Sequence, residues 1–266
     1  MDKQKVLVIT ITTARRLSLL KTVLESIYKN SKFDIKTVIG KNGTFPNDEY
    51  YNFNFELPNI VKAESHPGGH LSKALNVCLD ELTDEDWVLF IEDDFVLTDD
   101  NWLQKCIDTF NSIENCGTLG IRLHGGQRKY NPRKEYTLDC LQVRDIDTFE
   151  VFWSDGILLY KGDIIRKHNI RYDEKFIAAG EICDICHTLS DLGYENWRTE
   201  LGYEHYHITG DKTGTDKWKY AEMEVDMKKC NADLYLKWKD TTNPKIKEWL
   251  LLDTVDEQEY VKRYEK

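Results

Sequence analysis

Apolar residues along this chain recur with two periods, and each change of period marks an element. Lys5 to Ile11 reads as a short apolar strand, after which Leu20, Val23, Leu24, Ile27 and Tyr28 fall at helical spacing on one face. Ile35 to Ile39 is a second strand running into the turn signal Gly40-Lys41-Asn42-Gly43, and Ile60 to Glu64 is a third. Pro67-Gly68-Gly69 breaks the chain before a helix whose inner face is Leu71, Ala74, Leu75, Cys78 and Leu82. Trp87 to Ile91 has the length and the β-branched, aromatic character of a strand buried on both faces. Trp102, Leu103, Cys106, Ile107, Phe110 and Ile113 mark a further amphipathic helix. Strand and helix alternating in this way predict right-handed βαβ units and a mostly parallel sheet, an α/β fold.

The second half has another rhythm. Thr118 to Leu123, Thr137 to Val143, Phe149 to Trp153 and Ile157 to Tyr160 read as shorter strands without regular helices between them. A helix is predicted from about Glu181 to Leu192, ended by Gly193 in the position of a C′ glycine. Tyr203 to Ile208 is a late strand. From Thr215 the chain turns helical and charged, with Asn243-Pro244 as a cap and first-turn pair. No Pro/Gly/Ser-rich linker divides the 266 residues and no repeat is visible, so one domain with a helical C-terminal appendage is expected.

Composition narrows the setting. No apolar run approaches the roughly 20 residues that span a bilayer, and Met1-Asp2-Lys3-Gln4-Lys5 lacks a signal-peptide apolar region. No transmembrane segment is therefore expected. Seven cysteines at irregular spacings imply free thiols in a reducing, cytoplasmic environment. A formal charge of −11 disfavours a protein that coats nucleic acid by bulk electrostatics. Arg128, Lys129, Arg133 and Lys134 nevertheless form a local basic stretch, either a solvated loop or one that contacts phosphates.

The buried strand empties into Glu92-Asp93-Asp94. Three adjacent carboxylates repel one another unless something positive sits among them. Ligands of open α/β sheets bind outside the carboxyl ends of the strands. A hard divalent cation with oxygen ligands, its shell completed by a phosphate-bearing substrate, accounts for both facts. The plainer alternative is a solvated turn or a set of helix caps, but Asp99, Asp100 and Asn101 already offer caps to the helix that follows.

Glu181 and Asp184 stand three residues apart on the later helix, beside an apolar face of Ile182, Ile185, Cys186 and Leu189. They are either first-turn acids favoured by the helix dipole or a general base for an acceptor hydroxyl, with Asp184 lying deeper. Gly180 before them allows a sharp turn. His205 and His207 alternate along a predicted strand and so point one way. They are a structural pair, or one of them is the nitrogen ligand that manganese tolerates better than magnesium or calcium. Lys212 and Thr213 would then face a diphosphate. Cys183 and Cys186 have a Cys-x-x-Cys spacing inside a helix with no second pair, and read as core thiols.

In order and spacing, about Lys5 to Ile208 resembles the family 2-like glycosyltransferases with the GT-A fold. Val8-Ile9-Thr10-Ile11-Thr12-Thr13-Ala14-Arg15-Arg16, followed by Leu24-Glu25-Ser26-Ile27, is similar to the opening donor-binding segment of that family. Glu92-Asp93-Asp94 sits where the family carries its Asp-x-Asp motif, and Gly69 through Asn76 resembles the segment before it. Trp153-Ser154-Asp155-Gly156 with Tyr172-Asp173-Glu174-Lys175-Phe176 resembles the acceptor side. Ala179-Gly180-Glu181-Ile182-Cys183-Asp184 matches the Gly-Glu-Asp-x-Asp stretch that carries the base, with Ile182 in place of its middle acid. The second strand departs too, ending Gly40-Lys41-Asn42-Gly43-Thr44 where acids that read the nucleotide base are usual.

The resemblance implies a GT-A (Rossmann-like) domain over 1–214, with a nucleotide-sugar half of about 1–123 and an acceptor half of about 124–214, and a helical extension over 215–266. It implies transfer of a sugar, a hexose in the first instance, from a nucleoside-diphosphate donor, with a UDP-sugar placed first, to a hydroxyl of a glycan, protein, small molecule or modified nucleic-acid base. The cofactor would be Mn2+ or Mg2+, held by Glu92, Asp94, His205 and His207. Thr12, Arg15, Arg16, Asn42, Lys73 and Asp93 would meet the donor, and Asp184 or Glu181 would be the base. Two other classes remain: a non-catalytic module that kept the fold, and a sugar-nucleotide pyrophosphorylase. The second needs a Gly-rich loop after its first strand, and Thr12 to Arg16 holds no glycine.

Overall fold

The first strand, β1 (Lys5–Thr12), shows how the sheet is covered. Val6 and Val8 join one apolar cluster while Leu7 and Ile9 join another, as the period of two requires when both faces are buried. In this computed structural model, which describes residues 3–12, 17–29, 32–43, 47–64, 70–122, 148–150, 156–177, 180–201, 203–205 and 227–253, the remaining elements follow. They are α1 (Leu17–Tyr28), β2 (Asp34–Lys41), α2 (Asn47–Asn52), β3 (Ile60–Glu64), α3 (Leu71–Leu79), β4 (Trp87–Ile91), β5 (Phe95–Leu97) and α4 (Trp102–Asn111). Then come β6 (Cys116–Arg122), β7 (Thr148–Glu150), β8 (Ile157–Lys161), α5 (Gly162–Lys167), α6 (Glu181–Asp191), β9 (Glu195–Glu200), β10 (Tyr203–His205), α7 (Met227–Trp238) and α8 (Pro244–Asp253).

The main sheet has the order β3-β2-β1-β4-β8-β6-β9-β7, and β5 pairs with β10 in a small second sheet. Pairs β1–β2, β2–β3, β1–β4 and β6–β9 are parallel, whereas β8 opposes β4 and β6, and β7 opposes β9. The sheet is thus mostly parallel, as the alternation predicts, and mixed on its far side. Helices α1 and α4 cover one face through Leu20, Leu24, Leu103 and Phe110. Helices α3 and α6 cover the other through Leu75, Cys78, Ile185 and Leu189. A third cluster joins α6 to the C-terminal helices through Cys183, Leu234, Ile246, Trp249 and Leu250.

Several boundaries differ from the periodic pattern. Helix α3 ends at Leu79 with Asp80 as its C-cap, so Leu82 lies beyond it, and Ile113 likewise lies past α4. Asn101 is the N-cap of α4 by position, yet it sits at φ 54° and its side chain makes no cap hydrogen bond. Strand β9 has no apolar period to announce it, because Glu195-Asn196-Trp197-Arg198-Thr199-Glu200 is polar. Its Asn196 is buried all the same, with Nδ2 donating to Cys186 O at 2.9 Å and Ser190 Oγ at 2.8 Å. Asn243 caps α8, its Oδ1 accepting from the amides of Lys245 and Ile246 at 3.0 and 3.3 Å. Thr137 to Val143 and the basic residues 128–134 lie outside the described residues. No helix among the described residues is long and apolar enough to cross a membrane.

Candidate active site

Parallel strands β1, β2 and β4 end at one edge of the sheet, so Thr12, Lys41 and the acids after Ile91 arrive together. Asp93 and Asp94 are 7 % and 8 % exposed, while Glu92 is exposed. Thr12 Oγ1 donates to Asp93 Oδ2 at 2.8 Å, a buried bond between the two strand ends. A hydroxyl given to one carboxylate favours its charged form and fixes its direction. The amide of Glu92 donates to Gly156 O at 3.2 Å, which joins the acids to the entry of β8.

Phe95 follows Asp94 directly and opens β5, and its partner in the antiparallel pairing with β10 is His205. The register therefore pairs His205 with the residue that follows the acid cluster. The expected strand to Ile208 is described only as far as His205, and His207, Arg15, Arg16, Lys212 and Thr213 lie outside the described residues.

Two residues expected to contact the donor, Asn42 and Lys73, stand at the entry of α3. Asn42 is 2 % exposed, its amide donates to Thr12 O at 2.8 Å, and its Oδ1 accepts from His70 N at 2.6 Å. It fastens the entry of α3 to the end of β1. Lys73 stands half-buried in the first turn of α3, with its amide donating to His70 Nδ1 at 3.4 Å. The same helix end donates to carbonyls of the segment before α6: Leu71 N to Ile177 O at 2.7 Å and Ser72 Oγ to Phe176 O. Lys41, only 6 % exposed and opposite Thr12 in the β1–β2 register, belongs to the strand rather than to the turn that its glycine neighbours suggest. A second strand longer by two residues is the signal that would single it out.

On the side expected to take the acceptor, Gly180 adopts φ 89°, a left-handed conformation that glycine takes without strain, and α6 begins at Glu181. Glu181 is 5 % exposed. Asp184, the acid expected to lie deeper, is 2 % exposed, and its carboxylate faces protein. Its Oδ2 lies 2.8 Å from Lys237 Nζ, and its Oδ1 accepts from Trp238 Nε1 at 2.9 Å. Lys237 also meets Asp173 Oδ2 at 2.9 Å.

Burial pushes the Asp184 carboxyl above its ordinary range, with Lys237 and Trp238 opposing. Asp173 is less buried, and there the Lys237 ammonium and the Lys175 amide overcome the burial and hold the carboxyl low. Lys237, partly desolvated, is still held above the usual lysine value by its two carboxylates. His187, one turn on from Asp184, lies under Trp249 with ring centres 4.3 Å apart and Nε2 3.3 Å from Cys183 Sγ. Burial, reinforced by Lys237, drives its pKa down to about 3, so the imidazole is neutral. Nothing in the charged, weakly patterned stretch of α7 singles out Lys237 or Trp238 in advance.

Residues 8–179 match the family profile described as glycosyl transferase family 2. The chain belongs to that family. The matched stretch holds Thr12, Asn42, Lys73 and the three acids, and it stops just short of Glu181. A comparison with curated proteins found no match.

Among solved structures, the mannosyltransferase PcManGT from Pyrobaculum calidifontis, in complex with GDP-Man and Mn2+, is similar at a TM-score of 0.62 and 14% identity, over 98% of this chain and 70% of that one. S. aureus TarS 1-349 in complex with UDP-GlcNAc is similar at 0.51 and 14%, over 96% and 77%. GalNAc-T7 with UDP, GalNAc and Mn2+ is similar at 0.57 and 12%, over 96% and 55%. At such identities the likeness speaks for the fold, and the fold of this family 2 chain is GT-A.

Proposed function

We propose that this family 2 glycosyltransferase moves a hexose-type sugar from a nucleoside-diphosphate donor, a UDP-sugar first, to an acceptor hydroxyl with the help of Mn2+ or Mg2+. The reading is carried by the Thr12–Asp93 bond, which ties the acid cluster to the carboxyl edge where parallel strands end. PcManGT and GalNAc-T7 were each solved with a nucleotide or nucleotide sugar and Mn2+, which supports the same chemistry here.

The donor set suits a hard cation. Asp93, Asp94 and Glu92 offer oxygens, and His205 pairs with Phe95, the next residue along the chain. Among the described residues no three His, Cys, Asp or Glu form a group that could hold a metal ion by themselves, and on the proposed reading the donor's diphosphate would complete the shell. We assign Asp94 as the first ligand, with Glu92 and His205 as further candidates, and Asp93 as the residue that orients the donor. Such a cation would neutralise charge gathering on the leaving diphosphate.

For the base we choose Glu181. Both oxygens of Asp184 are engaged by α7, so the acceptor proton is assigned to the other acid of the same turn. The acceptor oxygen bonds to the anomeric carbon as its proton passes to Glu181, and the nucleoside diphosphate departs with the electron pair. Lys41 and Lys73, both at the sheet edge, are the candidate cations for the donor's phosphates. The six described cysteines are all buried thiols, which supports a reducing, cytoplasmic setting.

Occupation of Asp184 by α7 also favours one rival, a module that binds nucleotide without turnover. Calorimetric titration with UDP and GDP, with and without Mn2+, followed by diphosphate release from UDP-GlcNAc and GDP-mannose, separates the two. Metal-dependent binding with release supports the enzyme, binding alone supports the module, and no binding of either nucleotide ends both.

A further inference from the structure

Helix α7 meets the acceptor side through charge as well as apolar contact. Lys237 Nζ stands 2.8 Å from Asp184 Oδ2 and 2.9 Å from Asp173 Oδ2, and Trp238 Nε1 donates to the other Asp184 oxygen at 2.9 Å. The Asp184 side chain is 2 % exposed and that of Lys237 34 %. The carboxylate has therefore been drawn inside, where it depends on α7 for its partners. Donors on both oxygens also fix the rotation of the carboxylate. Asp184 lies in the first turn of α6, and its amide donates to Gly180 O at 2.8 Å, the bond that opens the helix. Whatever holds Asp184 thus holds the turn that carries Glu181.

The brace reaches further. Asp173 begins the short segment whose Phe176 and Ile177 carbonyls accept from Ser72 and Leu71 at the start of α3. The amide of His70, just before them, donates to Asn42, the Asn42 amide donates to Thr12 O, and the Thr12 hydroxyl holds Asp93. Hydrogen bonds and covalent neighbours run without a break from Lys237 to the acid cluster.

We propose that Lys237, assisted by Trp238, is a positioning residue for sugar transfer: by clamping Asp184 and Asp173 it holds the first turn of α6, and with it Glu181, in register with the donor edge. The proposal rests on the glycosyltransferase reading above. Without the ammonium, Asp184 would keep only the Trp238 indole and Asp173 only the Lys175 amide, and like charges so placed separate or protonate. Either outcome loosens the turn. Arginine at 237 can span both carboxylates with its planar fork, whereas methionine replaces only the stem.

The test uses the full chain, with nucleoside-diphosphate release from UDP-GlcNAc and GDP-mannose in Mn2+ as the assay and water as acceptor. Lys237→Met should lower kcat by about 10²-fold, the scale of a small misplacement of a reacting group. Donor KM and calorimetric affinity for UDP or GDP should stay within about twofold. Lys237→Arg should restore most of the turnover. Amide hydrogen exchange should quicken over 181–185 in Lys237→Met and stay unchanged over 93–95. In an Asp184→Asn background, itself slowed, adding Lys237→Met should cost little more, because the carboxylate to be braced is gone.

If Lys237→Met does not accumulate as folded protein, the double variant, with no unpaired carboxylate at 184, decides the matter. Low kcat with normal donor KM supports the brace, and wild-type kcat overturns it. Unchanged kcat in Lys237→Met, or a fall in donor affinity that parallels lost stability, also overturns it. A wild-type chain that neither binds UDP or GDP nor releases diphosphate sinks the glycosyltransferase reading, and the brace with it; wild-type turnover with an indifferent Lys237→Met sinks the brace alone.

Discussion

Two pairs of acids flank the proposed reaction: Asp93 and Asp94 after β4, and Glu181 and Asp184 in the first turn of α6. The first pair is positioned by its own strand and by the parallel neighbour β1, whose Thr12 hydroxyl grips Asp93. Of the second pair, Asp184 is held by a helix near the other end of the chain, through Lys237 and Trp238. The family match covers the first arrangement and ends before the second. On the proposed reading, donor chemistry follows from the topology of a parallel sheet, whose strand ends converge whatever else the chain does. The proposed acceptor side depends on an added pair of helices, so it can change while the proposed donor edge stays as it is. That is a physical reason for family 2 membership to say more about the donor edge than about the acceptor.

The comparison can be broken most severely at the donor edge. Asp94→Asn should abolish Mn2+-dependent binding of UDP or GDP while thermal unfolding stays cooperative, since neutralising one of three adjacent carboxylates relieves repulsion. Calorimetry decides it, and unchanged affinity would remove Asp94 from the metal site. At the acceptor side Glu181→Gln should cut turnover by roughly 10²- to 10⁴-fold with nucleotide affinity intact. Asp184→Asn should do less to turnover and more to the melting temperature. The opposite ranking in steady-state kinetics would return the base to Asp184.

Stability offers finer cuts. Trp249 is 4 % exposed and packs on His187, so Trp249→Ala should cost about 3–5 kcal/mol, the range for a buried aromatic. Urea unfolding measures it, and a cost near zero would mean that α8 is loosely attached. His187 tests the same interface through pH. Its folded pKa of about 3 lies below the unfolded value of 6.5. The unfolded chain therefore binds the extra proton between those values, and stability falls as the pH drops from about 6.5 towards 3. Asp184, with its pKa raised, contributes the opposite slope above the ordinary carboxyl range. His187→Gln should flatten the His187 part of the dependence; an unaltered slope would show that the imidazole titrates elsewhere. The smallest effect is expected at the cap of α8, where Asn243→Ala should cost about 1 kcal/mol in the same unfolding assay.

Much of this is legible in the sequence. The bounds Ile60 to Glu64 and Trp87 to Ile91 are those of β3 and β4, and Gly193, at φ 89°, follows the C-cap of α6 as its pattern predicts. The acid cluster stands out by its place after a buried strand. These features are local: strand and helix periods, a turn glycine and a run of like charges each lie within one short window. Tertiary structure alone decided that Asn42 fastens α3, that Lys41 is buried opposite Thr12, that polar β9 lies inside the sheet, that His205 stands beside Phe95, and that both oxygens of Asp184 belong to α7. The reason is physical. A window of sequence sets which face of an element is apolar, but the partner of a polar group on that face comes from whichever distant element packs there. Lys237 and Asp184 become neighbours only once α7 and α8 have closed over α6.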